Sequence, residues 1–327
     1  MSKPFELGGH LHDQSTYMGR LKHFVSMTNP MLGLVSNKTL QEYKGALAKV
    51  KAGEKLPAHM NDAYLWNAQK YIQANFHPDT GEKVFVLCRM WAFVPANIPI
   101  MYMVVFSPKT PFWLIFGQWI NQSYNAGFNY CNAPLSVQSD NATLFKSYLM
   151  ASGSSAGIAY SLNNMVKYAT ALGPAAYRFA SSLIPYTAVA GANMVNLFVL
   201  RRQEMYVGLD VFDDDGTVYG KSQAAGVKAV KQTCLSRAVM PIGPALLPIW
   251  GIQIMKALGR MPTSKLGQAI YQGAAIGLGM GVGLSGSVAL FPQFGELDVK
   301  EMEPQFQNLK DKDGNAITKL HYNKGIQ

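Results

Sequence analysis

What the chain lacks most is acid in its middle. Between Glu82 and Glu204 the one carboxylate is Asp140, and between Asp215 and Glu296 there is none. A soluble globular chain spreads its charges more evenly. Here the acids gather in the N-terminal region, in one central loop and in the C-terminal tail. That is the pattern of a membrane core with hydrophilic ends, and a mean hydropathy of +0.03 over 327 residues hides it. Cysteine is also scarce. Cys88, Cys131 and Cys234 form neither a disulfide framework nor a metal-ligand spacing. The six histidines lie mostly in the polar ends, and none stands at ligand spacing from a cysteine or a carboxylate. There is no nucleophile-base set and no phosphate loop. The chain is therefore not expected to be an enzyme, and it calls for no cofactor and no metal. Residues 1–20 lack the apolar run of a secretory signal and are not an Arg-rich presequence, so an organellar address would be internal.

The net charge of +10 would point to nucleic acid in a soluble protein. No interleaved basic and aromatic motif supports that, and no nucleic acid partner is expected. The basic residues border apolar stretches instead: Lys109, Lys146, Arg178, Arg201, Arg202, Lys256, Arg260 and Lys265. Snorkelling and contact with anionic lipid headgroups account for such a border.

The expected fold is an all-α membrane protein with about five transmembrane helices, or six if residues 90–131 form a hairpin. Residues 1–89 read as a polar helical region on one membrane face, with a helix start at Asp13-Gln14-Ser15-Thr16 and exposed helices over 37–52 and 61–76. Residues 90–292 form the transmembrane domain. Its spans are expected within 90–131 (broken by Pro95, Pro99, Pro108 and Pro111) and at 147–172, 179–200, 235–257 and 266–291. Residues 201–234 leave the membrane as a loop. It holds an Asp-Gly turn at 215–216 between short strands (206–212 and 217–219), then a basic amphipathic helix over 221–233. Residues 293–327 form a polar tail. In the last span, Gly273, Gly277 and Gly281 offer a groove for close helix packing, which permits self-association without requiring it.

Three motifs dissolve on inspection. Asp79-Thr80-Gly81 resembles an aspartic-protease triplet, but no second copy supplies the facing carboxylate. Asp213-Asp214-Asp215-Gly216 lacks the closing glutamate of a calcium loop. The GxGxxG from Gly281 to Gly286 follows no strand.

The informative stretch is Trp113–Asn132. At 100° per residue, Gln118, Asn121, Asn125, Asn129 and Asn132 fall within an arc of about 80°. Carboxamides in hydrocarbon are costly unless they find a partner or face water. Two readings stand: interhelical hydrogen bonding, or the wall of a pathway for a small zwitterion or acid, which amides suit because they donate and accept without fixed charge. Asn193 and Asn196, three apart on the next-but-one span, carry the same ambiguity. Pro185 in that span is expected to kink it and free backbone carbonyls.

The chain resembles the sideroflexins, a mitochondrial inner-membrane family once described as tricarboxylate carriers. The matching stretches run nearly end to end. They include Asp13-Gln14-Ser15-Thr16 with Gly19-Arg20, then His77-Pro78-Asp79-Thr80-Gly81-Glu82-Lys83, then Gln118-Trp119-Ile120-Asn121-Gln122-Ser123. Asn129-Tyr130 with Asn132, Ala192-Asn193, and Tyr322-Asn323-Lys324-Gly325 follow. The resemblance implies an all-helical, multi-pass carrier that moves serine or a related small neutral amino acid to feed one-carbon metabolism, by alternating access. It marks the His77–Glu82 turn (His77, Pro78, Asp79, Thr80, Gly81, Glu82) as a structural or gating motif. The sequence departs from the family at Ala133-Pro134, where relatives usually carry a basic or polar residue and then a small polar one. That departure keeps a second reading open: a structural or assembly subunit of a larger inner-membrane complex that retains the fold.

Overall fold

The computed structural model describes all residues except 1–2, 58, 78, 133–140, 167, 169–170, 172, 214, 308, 311–315 and 325–327, and leaves aside the side chains of Asn141, Thr143 and Ala175. Expectations placed on Pro78, Ala133, Pro134 and Asp140 lie outside that set.

The N-terminal region forms three helices, each started by a side-chain cap. Thr16 caps α1 (Tyr17–Met27), Ser36 caps α2 (Asn37–Lys51) and Asn61 caps α3 (Asp62–Asn75). Gly19 is needed in α1: a Cβ there would stand 1.8 Å from Asp13 O. Arg20 then ties α1 to the far end of the chain. Its Nε donates to Ala289 O (2.8 Å), and Nη1 to Gln14 O and Ser15 O (2.9 and 2.7 Å).

The stretch 90–131 adopts the hairpin alternative. Helix α4 (Phe93–Phe106) stops before Ser107-Pro108, and α5 (Pro111–Asn132) returns against it. Lys109 closes the corner by donating from Nζ to Val105 O (3.0 Å). Helices α6 (Asn141–Val166), α7 (Pro174–Val207), α8 (Gln223–Val239), α9 (Ile242–Ala257) and α10 (Lys265–Val288) follow. Packing runs α4 to α5 to α6 to α7, from α7 to α8 and α9, then to α10 and back to α4, so the helices close a ring.

Two stretches are long and apolar enough to cross a membrane, Ala176–Val207 and Gln223–Ala257, and Met90–Phe106 is a shorter apolar helix. Among the described residues five or six spans of that grade are not shown, in part for a compositional reason. Helix α5 spends its positions on amides and α10 on glycines, which lowers hydropathy without shortening either helix. The ring still turns large apolar side chains outward, among them Trp113, Trp119, Phe179, Phe198, Ile254 and Leu278.

Helix α7 keeps its helical backbone through Pro185, and a break in another long apolar stretch lies at Met240-Pro241, between α8 and α9. Two expectations are corrected. The glycine groove sits elsewhere. Gly273 and Gly277 meet only the side chain of Ile98, and a Cβ on Gly281 would meet nothing within 4 Å. Backbone contact occurs at Gly243 of α9 against Gly279 and Gly283 of α10. Finally, the fold is not all-α. Strands β1 (Leu209–Phe212), β2 (Val218–Ser222), β3 (Phe294–Asp298) and β4 (Lys319–Asn323) form an antiparallel sheet in the order β2-β1-β4-β3. The Asp-Gly hairpin supplies one half and the tail the other, over a core of Val211, Ala225, Leu297, Phe306, Leu320 and Tyr322.

The tail also caps α8. Glu303 accepts from Ala224 N–H (2.9 Å) and from the Ser222 hydroxyl (2.7 Å). Burial opposes ionisation of Glu303, but those bonds outweigh it and hold the carboxyl below its ordinary value. A folded value below the unfolded one stabilises the fold at neutral pH, and the contribution is lost as pH falls through the folded value. Glu303→Gln is expected to flatten the loss of melting temperature on acidification between about pH 5 and pH 3. An acid profile identical to that of the unaltered protein would remove Glu303 from this role.

Candidate functional site

The ring encloses a cavity of about 140 Å³. Helix α5 contributes Asn121, Asn125 and Asn129, and α7 contributes Asn193 and Asn196. These side chains meet because of helical spacing: positions 121, 125 and 129 repeat at i, i+4, i+8, and 193 and 196 at i, i+3. Asn121 is 2% exposed, and its Nδ2 has no hydrogen-bond partner among the described residues. A buried amide donor without a partner is uncommon and invites a ligand or water.

The two ends of the amide stripe do other work. Gln118 accepts from the Ser155 hydroxyl at 2.5 Å, and Ser155 also reaches Ala188 O, which joins α5, α6 and α7. Asn132 donates to Cys88 O (2.7 Å) and Phe128 O (2.8 Å). Gln118, Asn132 and Pro185 do not line the cavity. The neighbours of Gln118 point in different directions: Trp119 outward, and Ser123 to the Tyr148 hydroxyl at 2.9 Å.

Residues 77–83 build a separate feature. His77 N–H donates to Glu82 O (2.8 Å) and Gly81 N–H to His77 O (3.0 Å), with Gly81 at φ +64°. His77 Nδ1 accepts from the N–H groups of Asp79 and Thr80, and Thr80 Oγ1 from that of Glu82. Lys44 and Lys83 bind this turn to α2 through Gly81 O and Asn37 Oδ1. The turn holds itself together away from the cavity.

Three polar residues of the cavity carried no expectation: Thr28 at the end of α1, Asn97 on α4 and Arg237 on α8. Asn97 Nδ2 donates to Phe93 O (2.8 Å), leaving its carbonyl oxygen for the cavity. Arg237 had a signal in the sequence. It is the one charged residue between Lys231 and Lys256, and an ionisable group within an apolar stretch is a functional candidate by default. Phe24 and Thr28 of α1 close the cavity on the side of the N-terminal helices. Asn75 secures the entry to α4, accepting from Trp91 Nε1 (3.1 Å) and Arg89 Nη1 (3.4 Å).

A second cavity of about 330 Å³ lies between α5, α6 and α7 and includes Gln122 and Tyr148. The two cavities share Asn129, Asn196 and Leu200, which form the partition between them. Among the described residues no group of His, Cys, Asp or Glu could hold a metal ion.

The ring of apolar-faced helices thus surrounds a mainly apolar cavity into which asparagines of α5 and α7 and Arg237 project, with a helix break at its wall. The profile of the sideroflexins matches residues 6–326. The sideroflexin of Dictyostelium discoideum is 33% identical over 318 residues, covering 96% of this chain and 95% of that protein. Sideroflexin-5 of Homo sapiens is 32% identical over 323 residues (99% and 93%), and sideroflexin-3 of Mus musculus 34% over 323 residues (96% and 95%). No solved structure matches the chain. The chain belongs to the sideroflexin family, a family of mitochondrial membrane carriers.

Proposed function

We propose that the protein carries serine or a related small neutral amino acid across the mitochondrial inner membrane, by alternating access around the asparagine cavity, in support of one-carbon metabolism. In this reading α4, α5, α6, α7, the α8–α9 pair and α10 each cross the bilayer. The N-terminal helices and the sheet lie outside it. Contact of the basic border with anionic headgroups belongs to the same reading, although Arg201 is engaged within the protein.

The observation that carries the proposal is the convergence of five asparagines from two helices on one enclosed space. Their amides offer acceptors to an ammonium and donors to a carboxylate. Size supports the same class. A cavity of about 150 Å³ accommodates a benzene-sized molecule, so 140 Å³ suits a solute of the size of serine or alanine. The second cavity extends the route past Asn129, Asn196 and Leu200. The Met240-Pro241 break gives the wall a point at which two half-helices can move separately.

The test is radiolabelled serine uptake into liposomes holding the purified protein. The expected result is uptake above empty liposomes, reduced at least tenfold by Asn121→Ala/Asn125→Ala and clearly lowered by Asn193→Ala, with each variant folded. A tenfold loss corresponds to about 1.4 kcal/mol, within reach of one or two lost hydrogen bonds to a charged solute. No uptake of serine, alanine or cysteine by well-folded protein would shift the reading to a structural subunit of a larger inner-membrane complex.

A further inference from the structure

We propose that Arg237 is the anchor for the carboxylate of the transported solute, so that the site selects for a free carboxylate more strongly than for an amine. The inference rests on the cavity being the substrate site.

None of the residues lining the cavity is acidic, and Arg237 is its one cation. A guanidinium stays protonated under all ordinary conditions. Removing one from water costs several kcal/mol unless a counter-charge and hydrogen bonds replace the lost hydration. Arg237 has neither. Its Nε is buried without a hydrogen-bond partner, and no carboxylate stands within ion-pair distance of it among the described residues. Its partial exposure is to the cavity it lines.

The other cations at this end of the ring are engaged. Arg20 donates to three backbone carbonyls. Arg201 forks onto Glu204 and reaches Thr233 and Lys324 O. Lys324 donates to Phe291 O (3.1 Å) and lies over the Phe291 ring. Among the described residues Arg237 is a cation without a hydrogen-bond partner at Nε, and it lines the asparagine cavity.

Geometry decides what that solute presents. A guanidinium offers a planar fork of N–H donors that matches a carboxylate. The cavity offers a cationic amine only amide oxygens, with no formal charge. A zwitterion therefore binds by its carboxylate first. Removing the amine should cost less than removing the carboxylate charge.

The experiment combines uptake competition with ligand-dependent thermal stabilisation of the purified protein. The probes are L-serine, 3-hydroxypropionate (serine without its amine), and L-serine methyl ester (serine without its carboxylate charge). The expected result is that serine and 3-hydroxypropionate compete and stabilise, while the ester is weaker by about 30-fold or more, the cost of removing one partner of a buried charge pair. Arg237→Gln should lose the preference for acid over ester. Arg237→Lys, which keeps the charge without the fork, should fall between. If Arg237→Gln does not fold, the ester and acid series on the unaltered protein decides alone.

Equal competition by ester and acid, or unchanged serine uptake by folded Arg237→Gln, would overturn the anchor and leave the carrier reading standing. No uptake, with carboxylates that still stabilise the unaltered protein and not Arg237→Gln, would overturn the carrier reading and keep the anchor. Neither uptake nor carboxylate-dependent stabilisation would remove both.

Discussion

Gly243→Ala should prevent the bundle from closing. The added methyl would stand 1.9 Å from Gly279 O and 3.0 Å from Gly283 Cα. Both obstacles are backbone, so no side chain can rotate away. Helices α9 and α10 would have to separate by more than about 1 Å, and dense packing transmits that shift to their neighbours. Overpacking costs about 1–3 kcal/mol in ordinary cores and more where backbone must move. The shift would also reach the cavity wall, because Pro241, Pro244, Met280 and Leu284 belong to the same two helices or to the break that joins them. Little monodisperse protein should survive in mild detergent, and the melting temperature of what remains should fall by several degrees. Gly281→Ala is the matched control. It lies on the same glycine-rich helix, its Cβ would meet nothing within 4 Å, and it should behave as the unaltered protein. Equal melting of the two variants would show that the α9–α10 contact is not the tight one.

Arg201→Ala should release the C-terminal strand from the bundle. Arg201 Nε and Nη2 fork onto Glu204 at 2.7 and 2.6 Å, Nη1 donates to Thr233 Oγ1 (3.0 Å) and Nη2 to Lys324 O (2.7 Å). One side chain thus joins α7, α8 and the residue that follows β4. The pair is mostly buried, with side-chain exposures of 17% and 24%. Breaking a buried pair by removing one partner costs about 3–5 kcal/mol. The residual exposure lowers the expectation to about 2–3 kcal/mol. The readout is amide hydrogen exchange along residues 319–323, together with protease access to the tail. Exchange should accelerate at least tenfold in β4 while α4 and α5 keep their protection. Arg201→Lys should recover part of it, since one ammonium cannot reproduce the fork. Unchanged exchange in β4 would mean that the sheet is held by its own core alone.

The two variants separate two kinds of cohesion. The ring is held by close backbone approach and apolar packing. The sheet is held to it in part by a polar knot of Arg201, Glu204 and Lys324.

Much of this was legible in residue order alone. The dearth of acids between Glu82 and Glu204 announced a membrane core, because hydrocarbon tolerates carboxylates so poorly. The caps at Thr16 and Asn61 were readable, because a cap is a local exchange between a side chain and the first free N–H groups. The Asp-Gly turn was readable for the same reason: Gly216 takes φ +79° and Asp213 accepts from Thr217 N–H. The angular position of the amides followed from 3.6 residues per turn, and it placed Asn121, Asn125 and Asn129 on one line.

Tertiary structure decided the rest. Periodicity fixes an angle around a helix but not a depth along it. Only the packed ring shows that the cavity spans 121 to 129, while Gln118 and Asn132 fall above and below it onto Ser155 and Cys88. Which glycines touch backbone depended on where α9 crosses α10, and that is set by the whole ring rather than by the spacing at 273, 277 and 281. The second partner of β1, β4, lies in the tail, more than a hundred residues away, and no local signal joins them. Arg237 stood in the sequence as a lone charge in an apolar run. That no described residue partners its Nε is a fact about space, and it emerges only from the packed helices.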